Sequence, residues 1–108
     1  MAGAAPIGGE KPGDVPRHAQ RLSLTADIYL RKSGYQKSGV VLLDVSPVGC
    51  KVELPERVAQ GQAVWVTLPG LQPIEARVAW VHNWESGLRF IDPIHSAVFD
   101  ALVLRMKQ

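Results

Sequence analysis

Two short runs hold the residues whose types and spacing suit chemistry: Arg17-His18-Ala19-Gln20-Arg21 and Asp44-Val45-Ser46-Pro47-Val48-Gly49. The first supplies two guanidinium groups, planar and permanently charged, each able to meet an anion or a purine edge with paired hydrogen bonds. The second supplies a carboxylate, a hydroxyl and a glycine around a turn. Guanine shows the N7 and O6 acceptors on one edge, which suit an arginine fork. Its N1 and N2 hydrogens, on another edge, need an acceptor, and Asp44 is the candidate, with Ser46 completing the set. Gly49 lets backbone approach where a side chain would collide. Neither run places a nucleophile beside a base, so the chemistry on offer is recognition of a guanine-bearing anion. A plainer reading stands beside it, because Asp and Ser at turns commonly bond their own backbone.

These groups need a frame, and the chain is long enough for one. Its 108 residues fit a single domain with a modest core and leave no room for a second, catalytic one. A formal charge of +2, with 20% charged residues, is far from the basic surplus of a protein that wraps a duplex. DNA and RNA are therefore not expected partners. A lone cysteine, Cys50, excludes an internal disulfide and a CxxC metal site, and it fits a reducing compartment. No apolar run reaches membrane-spanning length and the N-terminus lacks the apolar stretch of a signal peptide, so the cytoplasm is the expected location.

Residues 1–16, rich in Gly and Pro and without hydrophobic period, read as a flexible arm, and the folded domain spans 17–108. Leu22, Leu24, Ala26, Ile28 and Leu30 alternate with polar residues, which predicts a half-buried strand. Val40–Val45 predicts a second strand, and Ser46-Pro47-Val48-Gly49 a tight turn with Pro47 at its second position and Gly49 free to take positive φ. Cys50–Leu54, a run around Val64–Leu68, Pro73–His82 and Gly87–Ile91 complete six strands, the pattern of an antiparallel barrel or sandwich. Asp92-Pro93 predicts a helix start, and Ile94, Val98, Leu102 and Met106 a stripe that plugs or docks on the barrel. Trp80 reads as a core residue.

With its motifs in this order, the chain resembles the PilZ domain family of bacterial cyclic di-GMP receptors over residues 17–105. Arg17 and Arg21 match the family's RxxxR element, and Asp44, Ser46 and Gly49 match its [D/N]xSxxG element. Val78-Ala79-Trp80 and Gly87-Leu88-Arg89-Phe90 match its later strands. The resemblance implies a six-stranded antiparallel PilZ-type β-barrel closed by a helix. It also implies cyclic di-GMP as ligand, with Arg17, Arg21, Asp44, Ser46 and Gly49 binding it. The expected mechanism is an arm that orders over the dinucleotide and relays the signal to a protein effector.

The other function class is a nucleotide-independent adaptor that keeps the fold. Retention of all five motif positions favours the receptor. An enzyme is not expected: His18, His82 and His95 lack metal-ligand spacing, and Cys50 at a strand start has no helix terminus to activate it. Neither a cofactor nor a metal is expected.

Overall fold

Period-two burial organises the chain. In the computed structural model, which describes residues 22–54 and 57–107, the six expected strands are present as β1 (Ala26–Lys32), β2 (Ser38–Ser46), β3 (Gly49–Glu53), β4 (Ala63–Thr67), β5 (Ile74–His82) and β6 (Glu85–Phe90), followed by the helix α1 (Ser96–Met106). All neighbours are antiparallel and the sheet closes on itself in the order β1-β2-β3-β6-β5-β4, with β4 returning to β1. Closure satisfies the hydrogen-bonding edges that an open sheet would expose.

The interior is filled by the apolar half of each alternation. Ile28, Leu30, Leu42, Val45, Val52, Val64, Val66, Val78 and Leu88 are buried in one cluster that Phe99 and Leu102 of α1 join. Two bulges correct the simple alternation. Leu42 faces Val52 while Asp44 faces Lys51, so Leu43 is the extra residue in β2. Likewise Val78 faces Leu88 while Trp80 faces Gly87, which makes Ala79 the extra residue in β5. Each bulge changes which residues share a face. The first lets Leu42 and Val45, three positions apart, both point inward and sends Asp44 and Ser46 to the outer face.

Two element starts differ notably from the sequence expectation. β1 begins at Ala26, and upstream of it Leu22 makes an isolated antiparallel bridge with Val45. The helix begins at Ser96 with His95, not Asp92, as its N-cap: His95 Nδ1 accepts from Ala97 N at 3.1 Å. The later start has a cause in the barrel. Ile94 is buried and its N–H donates to the Pro47 carbonyl at 2.7 Å, so residues 92–94 are held as a connector. The buried side of α1 is accordingly Phe99 and Leu102, with Val103 and Met106 partly buried; Val98 is 41% exposed.

Candidate functional site

Ser46 and Gly49 face each other across the two-residue turn Pro47-Val48 that joins β2 to β3. Ser46 Oγ accepts from Val48 N at 3.2 Å and donates to the Gly49 carbonyl at 3.4 Å. The carbonyls of the turn are also held: Phe90 N donates to Val48 O at 2.9 Å and Ile94 N to Pro47 O. Hydrogen bonds from two sides fix this hairpin to the β6–α1 connector, which is the preorganisation a binding surface requires. Gly49 does not use the expected positive φ. The described glycines that do are Gly34, Gly61 and Gly70, and Gly49 is an extended strand residue paired with both Ser46 and Arg89.

Asp44 lies two residues before Ser46 on the same outer face. Its side chain is only 6% exposed, and Lys51 Nζ stands 3.7 Å from Oδ2 and 4.0 Å from Glu85 Oε1. Cross-strand pairing extends this into a row around the barrel wall: Asp44 faces Lys51, Lys51 faces Gly87, and Gly87 faces Trp80. A Cβ on Gly87 would fall inside the Trp80 indole, 2.7 Å from Cδ1. Glycine here therefore makes room for the ring to lie flat across β6. Trp80 is half-buried on the outside and is not part of the core cluster, contrary to the sequence expectation. Its Nε1 is buried and has no acceptor among the described residues. The reason is the Ala79 bulge, which moves Trp80 to the outer face; no residue-type pattern in Val78-Ala79-Trp80 signals it.

Arg17 and Arg21, with His18 and the arm of residues 1–16, lie outside the described residues. The attachment of that segment is described. Leu22, the residue after Arg21, donates to Val45 O at 2.9 Å and its carbonyl accepts from Val45 N at 3.0 Å. Val45 is the residue between Asp44 and Ser46. The chain thus reaches the barrel at the hairpin end of β2, between Asp44 and Ser46.

Cys50 is completely buried opposite Val45. Desolvation, and secondarily the negative charge of Asp44, push its thiol well above the ordinary range, so at neutral pH it is a protonated core residue and not an activated nucleophile. Among the described residues no group of three His, Cys, Asp or Glu side chains is arranged to hold a metal ion. No described helix is long and apolar enough to cross a membrane.

The fold is a six-stranded barrel capped by one helix, with the Asp44 carboxylate almost fully covered on the wall beside the β2–β3 hairpin. The chain belongs to the PilZ domain family, whose model matches residues 16–105. Among solved structures it is similar to the PilZ domain of CeSA from a cellulose-synthesizing bacterium, with a TM-score of 0.56 and 18% identity over 81% of this chain and 93% of that one. Comparison with curated proteins gives no match.

Proposed function

We propose that this PilZ domain is a receptor for cyclic di-GMP that holds the dinucleotide between Arg17 and Arg21 on one side and Asp44, Ser46 and Gly49 on the other. The observation that carries the reading is the two-way hydrogen-bonded bridge between Leu22 and Val45. It ties the chain, one residue after Arg21, to the strand that bears Asp44 and Ser46, and this nearness along the chain supports a site that both motifs share. Each arginine fork suits a guanine Hoogsteen edge or a phosphate. The Asp44 carboxylate suits the N1 and N2 hydrogens. Closure of the arm over the ligand would then present an altered surface to a protein effector, a coupled ordering step. A receptor for an intracellular messenger works in the cytoplasm.

A second reading has an observation of its own. Ser46 Oγ is already engaged on both its donor and acceptor sides within the turn, and Asp44 stands beside Lys51; both are explicable as barrel architecture. On that reading the domain is a nucleotide-independent adaptor.

Titration calorimetry separates the two. Wild-type protein should bind cyclic di-GMP and neither GTP nor cyclic di-AMP with comparable affinity. Arg17→Ala and Arg21→Ala should each weaken binding by roughly 1–3 kcal/mol, the discrimination of one bidentate guanine contact, with little change in melting temperature. Equal affinity for wild type and the double variant would refute the receptor and leave the adaptor.

A further inference from the structure

The outer wall of the barrel carries a groove of about 590 Å³ that crosses β1, β2 and β3 and reaches Trp84 of the β5–β6 turn. Strand register sets its floor. Asp27 faces Val41 and Val41 faces Glu53, so the three side chains form one row on the outer face, an apolar residue between two carboxylates. Trp84, 65% exposed, stands on the Glu53 side. Its backbone is fixed there, because Leu54 N donates to the Trp84 carbonyl at 2.8 Å.

Gly39 deepens the groove. It stands in the β1–β2 ladder opposite Tyr29, where glycine weakens a strand. The packing of the described residues does not call for it: Gly39 is not at positive φ, and a Cβ built there meets no described atom within 4 Å. Tyr29, whose ring lies 4.7 Å from Lys37 Nζ, does not fill the space. A strand glycine that its own sheet does not require suits a place where another backbone comes close.

The charge of the groove is opposite to that of the chain. The sequence is formally +2, yet the charged side chains that line the groove among the described residues are Asp27 and Glu53. Both are exposed, and neither has an ion pair with a described residue. Glu85, which faces Glu53 from β6, continues the row. Cations in the neighbourhood are placed elsewhere: Lys37 over Tyr29, Lys51 beside Asp44 and Glu85, and Arg57 on a different hollow that shares Trp84.

We propose that this groove docks an extended, arginine-bearing segment of a partner protein. Residues two apart on an extended chain project from one face about 7 Å apart, which lets two guanidinium groups meet Asp27 and Glu53 across the width of β2. An arginine fork pairs with a carboxylate through two parallel hydrogen bonds. Its plane also stacks on an indole face, which Trp84 offers beside Glu53. The hollow at Gly39 receives main chain of the visitor. The two carboxylates repel an anionic surface or a nucleic acid, and this docking does not depend on the nucleotide-receptor reading.

The test is fluorescence anisotropy of a labelled octapeptide alternating arginine and glycine, titrated with the full chain, beside the same peptide with glutamate in place of arginine. The arginine peptide should bind, and more weakly with added salt; the glutamate peptide should not bind. Asp27→Asn combined with Glu53→Gln should weaken binding about tenfold, the loss of two exposed charge pairs. Glu75→Gln, which removes a carboxylate of β5 outside the groove, should leave it unchanged. Gly39→Val should fill the hollow and abolish binding, and thermal melts show that each variant folds. Cyclic di-GMP titrated in parallel should not distinguish Gly39→Val from the wild type, so failure of the groove and failure of the receptor are read separately. Equal affinity for the two peptides, no binding of the arginine peptide, or unchanged binding by Gly39→Val or by the double carboxylate variant overturns the proposal. So does self-association of the domain that Gly39→Val abolishes in analytical sedimentation, which would assign the groove to a second copy of this chain.

Discussion

Replacing Gly87 by alanine tests the outer wall of the barrel more sharply than any core substitution. The added methyl would stand 2.7 Å from Cδ1 of Trp80, where carbon atoms normally rest about 3.5–4.0 Å apart. That neighbour is a rigid indole and not the tip of a flexible chain, so the ring must tilt away from β6. Overpacking of this kind costs roughly 1–3 kcal/mol. Alanine offsets part of that, because reducing the freedom of the unfolded chain is worth about 0.4–1 kcal/mol where the backbone is compatible, as it is for Gly87, which is not at positive φ. A net loss of roughly 1–2 kcal/mol remains, and a domain of this size then melts roughly 4–15 °C lower. A double-mutant cycle isolates the contact. In a Trp80→Ala background the obstacle is gone, and Gly87→Ala should become neutral or slightly stabilising. Thermal or urea denaturation of the four proteins reads the result. An equal cost of Gly87→Ala in both backgrounds would refute the stacking of Trp80 on β6, and with it the continuity of the Asp44, Lys51, Gly87, Trp80 row.

Two further outcomes follow from the hairpin and from the core opposite it. Ser46→Ala removes the acceptor of Val48 N and a donor to Gly49 O, which should lower stability by about 1 kcal/mol in urea unfolding; an unchanged midpoint would mean the turn is held by the Phe90 and Ile94 hydrogen bonds alone. Cys50 sets an alkaline limit: burial raises its folded pKa above the unfolded value of about 8.5. Its contribution is therefore intact below that pH and declines as pH rises toward the folded value, because only the unfolded chain releases the proton. Relative to Cys50→Ala, wild-type stability should fall by about 1.4 kcal/mol per pH unit above roughly pH 9; parallel pH profiles for the two proteins would show that the thiol is not buried.

The six strands were legible because each buries one face, and half-burial writes period two into residues such as Ile28 and Leu30 or Val64 and Val66. The motif residues Asp44, Ser46 and Gly49 were legible for a similar reason: their types fit a turn on a rigid hairpin. What stayed hidden were effects with no local residue signature. The extra residues Leu43 and Ala79 change the face of everything beyond them, and a run such as Val41-Leu42-Leu43 reads equally well with or without a bulge. The true start of α1 is set by Ile94 bonding Pro47, a partner 47 positions away in sequence, so Asp92-Pro93, a good local start signal, lost to a tertiary one. The position of Gly49 shows the converse. A glycine at a turn suggests positive φ, yet its place between Ser46 and Arg89 in the ladder requires extended backbone.

Ring closure of the sheet also limits how another protein can engage this domain. An open edge invites a visitor to lengthen the sheet through main-chain pairing, a mode that tolerates many sequences. Here each strand already has a neighbour on either flank, and the stretch of β2 that runs past the start of β1 is taken at Val45 by the domain's own Leu22. Any associate must instead read side chains and loop shapes, which makes recognition stringent and leaves it sensitive to single surface substitutions.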